Sequence, residues 1–275
     1  MDSVVLNIPV ADPVQAEILV AELADFPFES FETESSALKA YIPQERLADC
    51  KSEVDALLVR YGVAGRYISI EAQNWNALWE QHFPATDIEG RLRIRAPFHE
   101  PAPEGEPEIV VMPKMSFGTG QHATTWLMAR AVLDLGVGGR RGLDMGSGTG
   151  VLSIVAVKCG AAHVDAVDID EWADANCREN IVANGVSAAV EPLLGDVARI
   201  AGRRYDFILA NINRNILLRD MHAYAAALLP GGDLLMSGFL EADVPAVVET
   251  AQAEGLEFVA SAARGGWMMV HVRKA

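Results

Sequence analysis

Apolar and polar positions alternate in two different periods along this chain, and the order of those periods predicts its layout. Residues 4–10 are mostly apolar and read as a strand. Asp12-Pro13 then supplies an N-cap and a proline at the first helical position, opening a helix that runs to about Leu23. Residues 28–34 and 37–42 alternate apolar with polar side chains, and Ser35-Ser36 between them suggest a hairpin turn. A second helix is expected over 44–60 and a closing strand over 66–71. The sequence β-α-β-β-α-β is the ferredoxin-like pattern. This small domain, residues 1–71, carries no concentration of catalytic residue types, so its expected task is to hold a partner.

Residues 72–115 read as a linker. It contains Trp75 and Trp79, one helical turn apart, and a proline-rich acidic stretch over 97–113. Two tryptophans at that spacing are expected to serve packing. From Gly142 onward strands alternate with helices, the signature of a mostly parallel sheet covered on both faces. Strands are expected at 142–145, 163–168, 188–194, 205–210 and 233–237, and helices at 151–159, 171–184, 216–229 and 242–253. The tail, 257–272, reads as one or two further strands broken at Gly265-Gly266. The fold class is therefore α/β: a Rossmann-like domain over 116–275, preceded by a small ferredoxin-like α+β domain.

Composition narrows the class. With 275 residues the chain is long enough for two domains, each with a core that needs no staples. Its three cysteines, Cys50, Cys159 and Cys177, are far apart and odd in number, so neither a disulfide framework nor a metal site is expected. The start Met1-Asp2-Ser3-Val4-Val5 lacks the basic and long apolar regions of a signal peptide, and no run of about 18 apolar residues suggests a membrane span. A cytoplasmic location is expected. The net charge of -16 repels phosphate backbones, which disfavours bare nucleic acid as substrate and favours a cationic protein. Acidity that serves only solubility fits the charge equally well.

Chemistry concentrates in the turn Asp144-Met145-Gly146-Ser147-Gly148-Thr149-Gly150, between an apolar strand and an apolar helix. Glycines there let the backbone bend and approach a ligand, and the next helix offers free N–H groups. A dinucleotide fingerprint wants a further glycine where this chain has Val151. Asp168, at the end of the second strand, is placed to accept the ribose hydroxyls of an adenosine, while Asp170 suits the N-cap of the following helix. Together these features predict an S-adenosylmethionine-dependent methyltransferase, with Asp144, Gly146 and Gly148 at the cofactor. Asp196, after the third strand, is a candidate for the adenine amine, and a plain turn fits Gly195-Asp196 nearly as well.

Asn211 ends the fourth strand, where open α/β sheets bind their ligands. Enzymes acting on planar amines commonly add prolines and an aromatic there; this chain has Ile212-Asn213-Arg214, which points toward an aliphatic amine. The segment Met115 to Thr125 carries Gly118 and Gly120, which suggest a loop over a ligand, and Thr124 and Thr125, which suit the next helix cap. His122 is a candidate base, with a structural role more common for a lone histidine.

Phe117-Gly118-Thr119-Gly120-Gln121-His122-Ala123-Thr124-Thr125, the glycine turn, Gly160-Ala161-Ala162, Asp168-Ile169-Asp170 and Ala210-Asn211-Ile212 together resemble the bacterial ribosomal protein L-eleven methyltransferases. The likeness covers most of the chain from Trp75 on, including His82-Phe83-Pro84. It implies repeated methyl transfer from S-adenosyl-L-methionine to lysine ε-amines and the N-terminal α-amine of ribosomal protein L-eleven. It implies also a substrate-gripping N-terminal domain, a linker that lets it swing, and cofactor contacts at Thr125, Gly146, Asp168 and Asn211. Gln121, Ala123 and Ser147 depart from the family's usual threonine, proline and cysteine. Asn211 is the expected catalytic residue, orienting the amine through a carbonyl. A nicotinamide dehydrogenase, a nucleic-acid or glutamine methyltransferase and a non-enzymatic ribosome-binding module are the competing readings.

Overall fold

The computed structural model describes residues 3–34, 36–70, 84–114, 118 and 120–275. The chain divides into two compact units, Met1–His82 and Phe83–Ala275.

In the first unit the elements run β1 (Ser3–Pro9), α1 (Pro13–Leu23), β2 (Ser30–Thr33), β3 (Ala37–Pro43), α2 (Gln44–Arg60) and β4 (Arg66–Ile70). Asp12 caps α1, its carboxylate accepting from the Val14 amide at 3.1 Å, as the Asp-Pro pair predicts. The four strands form one antiparallel sheet in the order β2-β3-β1-β4. Connections that place the first and third strands side by side at the centre make this the ferredoxin-like arrangement. Leu6, Ile8, Leu38, Ala40 and Ile42 face α1 and α2 and close a core with Leu19, Leu23, Val54 and Leu57. The expected hairpin turn lies partly outside the described residues, at Ser35; on its far side the Glu34 amide donates to the Ala37 carbonyl at 2.8 Å.

The stretch read as a linker differs from expectation where it is described. Residues 84–114 contain β5 (Thr86–Ile88), β6 (Leu92–Arg95) and β7 (Glu108–Val110), a three-stranded sheet within the second unit. The reason is burial. Ile88, Leu92, Ile94, Ile109 and Val111 are all withdrawn from water into the same core as the helices that follow. The proline-rich residues 96–107 are the connection between β6 and β7, closed by a bidentate pair of Arg95 with Glu108 at 2.7 Å. Trp75 and Trp79 lie outside the described residues.

The main sheet is built from α3 (Ala123–Leu135), β8 (Arg141–Met145), α4 (Val151–Lys158), β9 (His163–Asp168), α5 (Glu171–Ala183), β10 (Val190–Leu194), β11 (Tyr205–Asn211), α6 (Arg214–Ala227), β12 (Leu228–Leu240), α7 (Val244–Ala253), β13 (Leu256–Arg264) and β14 (Trp267–Lys274). Its strand order is β10-β9-β8-β11-β12-β14-β13. The first five strands are parallel, and β14 inserts antiparallel between β12 and β13. The two-residue period of β11 explains the two layers. Phe207 and Leu209 join a core with α3, α4 and α5, while Ile208 and Ala210 join a core with α6 and α7. At the amino ends of the strands, buried Asp165 is held by Arg141, Arg203, Tyr205 and His163, and buried Asp233 by Arg140, His271 and Arg273. These clusters fix strand starts, leaving the carboxyl ends for ligands.

Candidate functional site

The direction of winding reverses between β8 and β11, and a crevice outside the carboxyl ends of these strands is the expected ligand site of such a sheet. The turn after β8 is tied to β9: the Gly146 and Ser147 amides donate to the Val167 carbonyl at 2.8 and 3.0 Å. Gly146 has φ +71°, and a Cβ there would lie 2.1 Å from Ile212 Cγ2. On the other side of Ile212, Gly238 at φ +100° sits in a β-bulge of β12, and a Cβ there would lie 2.2 Å from the Ile212 carbonyl oxygen. Two glycines therefore make room for the single residue that follows Asn211.

A cavity of about 500 Å³ opens at this point, within the range of small-ligand sites. Of the expected cofactor residues it is lined by Gly146, Gly148, Asp168, Asp196 and Asn211. One oxygen of Asp168 accepts from the Gly148 amide at 2.8 Å and the other from the Asp170 amide at 3.0 Å. Asp168 is thus held at the cavity by the turn it faces. Asp170 caps α5 by accepting from the Trp172 amide at 2.8 Å, as its position suggested, while Asp168 lines the cavity. Asp196 caps the short turn Val197–Ile200 through the Ala198 amide at 3.0 Å. Asn211 lines the cavity with its side-chain oxygen buried and without a partner among the described residues.

Two expected residues are placed elsewhere. Asp144 is 1% exposed and lies beneath the turn rather than on the cavity wall. One of its oxygens accepts from the Ser153 amide at 3.0 Å and from its hydroxyl at 2.7 Å, and burial pushes its pKa up to about 6. Its geometry clamps the first turn of α4 against the end of β8. Thr125 is fully buried in the first turn of α3, with its hydroxyl unpartnered among the described residues, and does not line the cavity. The cap of α3 is not a threonine but His122. Its Nδ1 accepts from the Thr124 amide at 3.3 Å and lies 2.7 Å from the Thr124 hydroxyl, and its ring meets Trp267 edge-on at 4.8 Å.

Met115, Ser116, Phe117 and Thr119 lie outside the described residues. Gly118 is fixed to the turn, its carbonyl accepting from the Thr149 hydroxyl at 2.7 Å. An asparagine ladder that no sequence motif marks runs along α5 to its C-cap. Asn180 donates to the Thr149 carbonyl at 2.9 Å and accepts from the Met112 amide at 2.9 Å, while Asn184 pairs with both the amide and carbonyl of Val110. Spacing of four residues puts these side chains on one inward helix face. Trp267, Ile216, Arg219 and Asp220 also line the cavity and were not anticipated. Asp168, Asp170, Asp196 and Asp220 set four carboxylates against the Arg219 guanidinium among the described lining residues.

The family model described as Ribosomal protein L11 methyltransferase (PrmA) matches residues 11–275. The chain belongs to this family. A relative of that description from Porphyromonas gingivalis is 43% identical over 258 residues, covering 91% of this chain and 88% of its own. Another, from Bacteroides fragilis, is 39% identical and covers 92% of each. A crystal structure of a ribosomal protein L11 methylase from Lactobacillus delbrueckii subsp. bulgaricus superposes with a TM-score of 0.64 at 24% identity, covering 70% of this chain and all of that one. That likeness shows the fold: a class I methyltransferase domain. Family and fold together make the chain an S-adenosylmethionine-dependent methyltransferase. The residues present fit that cofactor. A side chain at 146 would foul Ile212, a carboxylate waits on β9 at the cavity, and Asn211 lines the cavity at the end of β11.

Proposed function

We propose that this chain methylates amino groups of ribosomal protein L11, at lysine ε-amines and the N-terminal α-amine, as a cytoplasmic enzyme with no nucleic-acid substrate. Among the described residues no helix is long and apolar enough to cross a membrane. Asp168 would hold the cofactor's ribose, the Gly146–Gly148 backbone its methionyl portion, and Asp196 its base. S-adenosylmethionine supplies an electrophilic methyl group on a sulfonium. Thr125 and Asp144 shape this site from behind, by packing α3 and clamping α4. The ferredoxin-like unit is proposed to grip the substrate protein, whose basic character suits a chain of net charge -16.

The observation that carries the reading is Asn211, which lines the cavity at the end of β11 with its side-chain oxygen buried and without a partner among the described residues. A buried acceptor left unmet costs on the order of 1–3 kcal/mol, which favours a turn of the Asn211 amide toward the cavity it lines, where a donor can meet the oxygen. An amine that approaches supplies one. A free lysine with pKa near 10.4 costs roughly 4–5 kcal/mol to deprotonate at pH 7. Desolvation in the cavity lowers that cost by disfavouring the charged form, and water takes the proton. Asn211 then orients the neutral nitrogen, and positioning provides most of the rate. Asn211→Ala should lower kcat on L11 by at least tenfold while the protein still binds S-adenosylhomocysteine. Full turnover at saturating substrates would remove Asn211 from this role. The neutral Asn213, next but one, caps α6 instead, accepting from the Asn215 amide at 2.9 Å.

A further inference from the structure

One carboxylate on the cavity wall has no part in the reaction as derived. Asp220 is only 7% exposed, yet it sits on α6 beside Arg219, whose side chain is 66% exposed. A consecutive Arg-Asp pair on a helix normally belongs to a solvated face. Here Ile216, Arg219 and Asp220, at helical spacing of three and four, all line the cavity. The guanidinium grips the carboxylate twice, at 2.6 and 2.8 Å.

The sheet order says which end of the cavity this is. Asp196 follows β10, the outermost strand on one side, whereas Gly238 and Trp267 belong to β12 and β14 on the other. Asp168, on β9, lies between. A nucleoside whose ribose meets Asp168 therefore has its base toward Asp196 and its reactive end toward Asn211. Helix α6 packs against the Val197–Ile200 turn that Asp196 caps, so the Arg219–Asp220 pair stands at the base end.

We propose that Arg219 and Asp220 are specificity-determining residues that read the amino edge of the cofactor's purine. This rests on the cofactor placement proposed above. A 6-aminopurine presents an N–H donor beside a ring-nitrogen acceptor. A carboxylate beside a guanidinium presents the matching acceptor beside a donor. Each carboxylate oxygen keeps a free lone pair after pairing with arginine, so Asp220 still accepts from the exocyclic amine. A 6-oxopurine reverses the pattern and sets its carbonyl oxygen against the Asp220 oxygens. The buried side chain is held at both oxygens by its arginine, which opposes its turning away. Sites built to bond one polar edge discriminate strongly because the wrong edge leaves buried groups unpaired.

Calorimetric titration of the full chain with S-adenosylhomocysteine and with its 6-oxo analogue, S-inosylhomocysteine, tests this. The wild type should prefer the amino compound by about tenfold or more, the equivalent of about 1.4 kcal/mol. Asp220→Asn, whose amide can turn either atom to the base, should bring the two affinities within about twofold. An unchanged ratio in Asp220→Asn overturns the proposal. Should that variant lack the wild-type circular dichroism, Arg219→Gln decides. Its side chain is 66% exposed, glutamine keeps a donor for Asp220, and its ratio should fall at least threefold; retention of the wild-type ratio overturns the proposal there. Failure of the wild type to bind S-adenosylhomocysteine at all contradicts the cofactor placement itself, a different result from binding without discrimination.

Discussion

Replacing Gly146 with alanine adds one methyl group at the tightest point of the site. The new Cβ would lie 2.1 Å from Ile212 Cγ2, at a residue with φ +71°. A left-handed backbone costs alanine roughly 1–2 kcal/mol, and forcing an extra carbon into a packed contact costs about 1–3 kcal/mol more. The two add to about 2–5 kcal/mol. In a unit of this size that lowers the melting temperature by roughly 5–15 °C. The two contributions separate in a double-mutant cycle. Ile212→Ala removes Cγ2 and leaves Cβ at 3.6 Å, an ordinary contact. In that background Gly146→Ala should cost only the backbone part, giving a coupling of about 1–3 kcal/mol. Urea denaturation of the four proteins measures it. Equal costs of Gly146→Ala in both backgrounds would refute the idea that the turn is glycine to admit Ile212.

Two further outcomes follow from buried carboxylates of opposite character. Asp144, with its pKa raised by burial to about 6, favours the native state only while protonated. That contribution is present below the unfolded value near 3.9 and is lost as pH rises through about 6, a cost of roughly 3 kcal/mol at neutral pH. Asp144→Asn should therefore gain about 1–3 kcal/mol relative to wild type between pH 5 and 7.5 in urea titrations; parallel curves would contradict it. Asp233 behaves in reverse. Burial works to raise its pKa, but donors from His271, Arg140 and Arg273 outweigh it and hold the group at about 2. Its stabilisation, about 2 kcal/mol, is present above the unfolded value and is lost as pH falls toward 2. Asp233→Ala leaves those donors facing one another and should destabilise the protein by about 3 kcal/mol at pH 7. A loss under 1 kcal/mol would show the cluster to be idle.

Much of the sheet was legible because its signals are local. The glycine turn between two apolar runs, the Asp-Pro start of α1, and Asp170 before α5 each act over a few residues, and each element appears where these marks put it. Residues 84–114 were harder. The strands β5–β7 are three or four residues long, and the prolines and acids between β6 and β7 dominate the composition of the segment. Only the core they join reveals Ile94 and Ile109 as buried. Direction was the other gap. Asp144 and Met145 are adjacent, so their side chains leave opposite sides of β8; Met145 reaches the cavity and Asp144 does not. Likewise Asn180, Asn184 and Asp220 are polar residues on helices, a pattern that reads as a wet surface until the packing shows which side faces inward.

The central claim is amine methylation of ribosomal protein L11. Purified chain and labelled S-adenosylmethionine should be incubated with recombinant L11 and, in a separate reaction, with ribosomal RNA, with products read by mass spectrometry. Additions of one methyl group per transfer, about 14 Da before the isotopic increment, should appear on L11, confined to lysines and the N-terminal amine, and should form at least tenfold more slowly with Asn211→Ala. Label on the RNA, or on L11 side chains that carry no amine, would contradict the account.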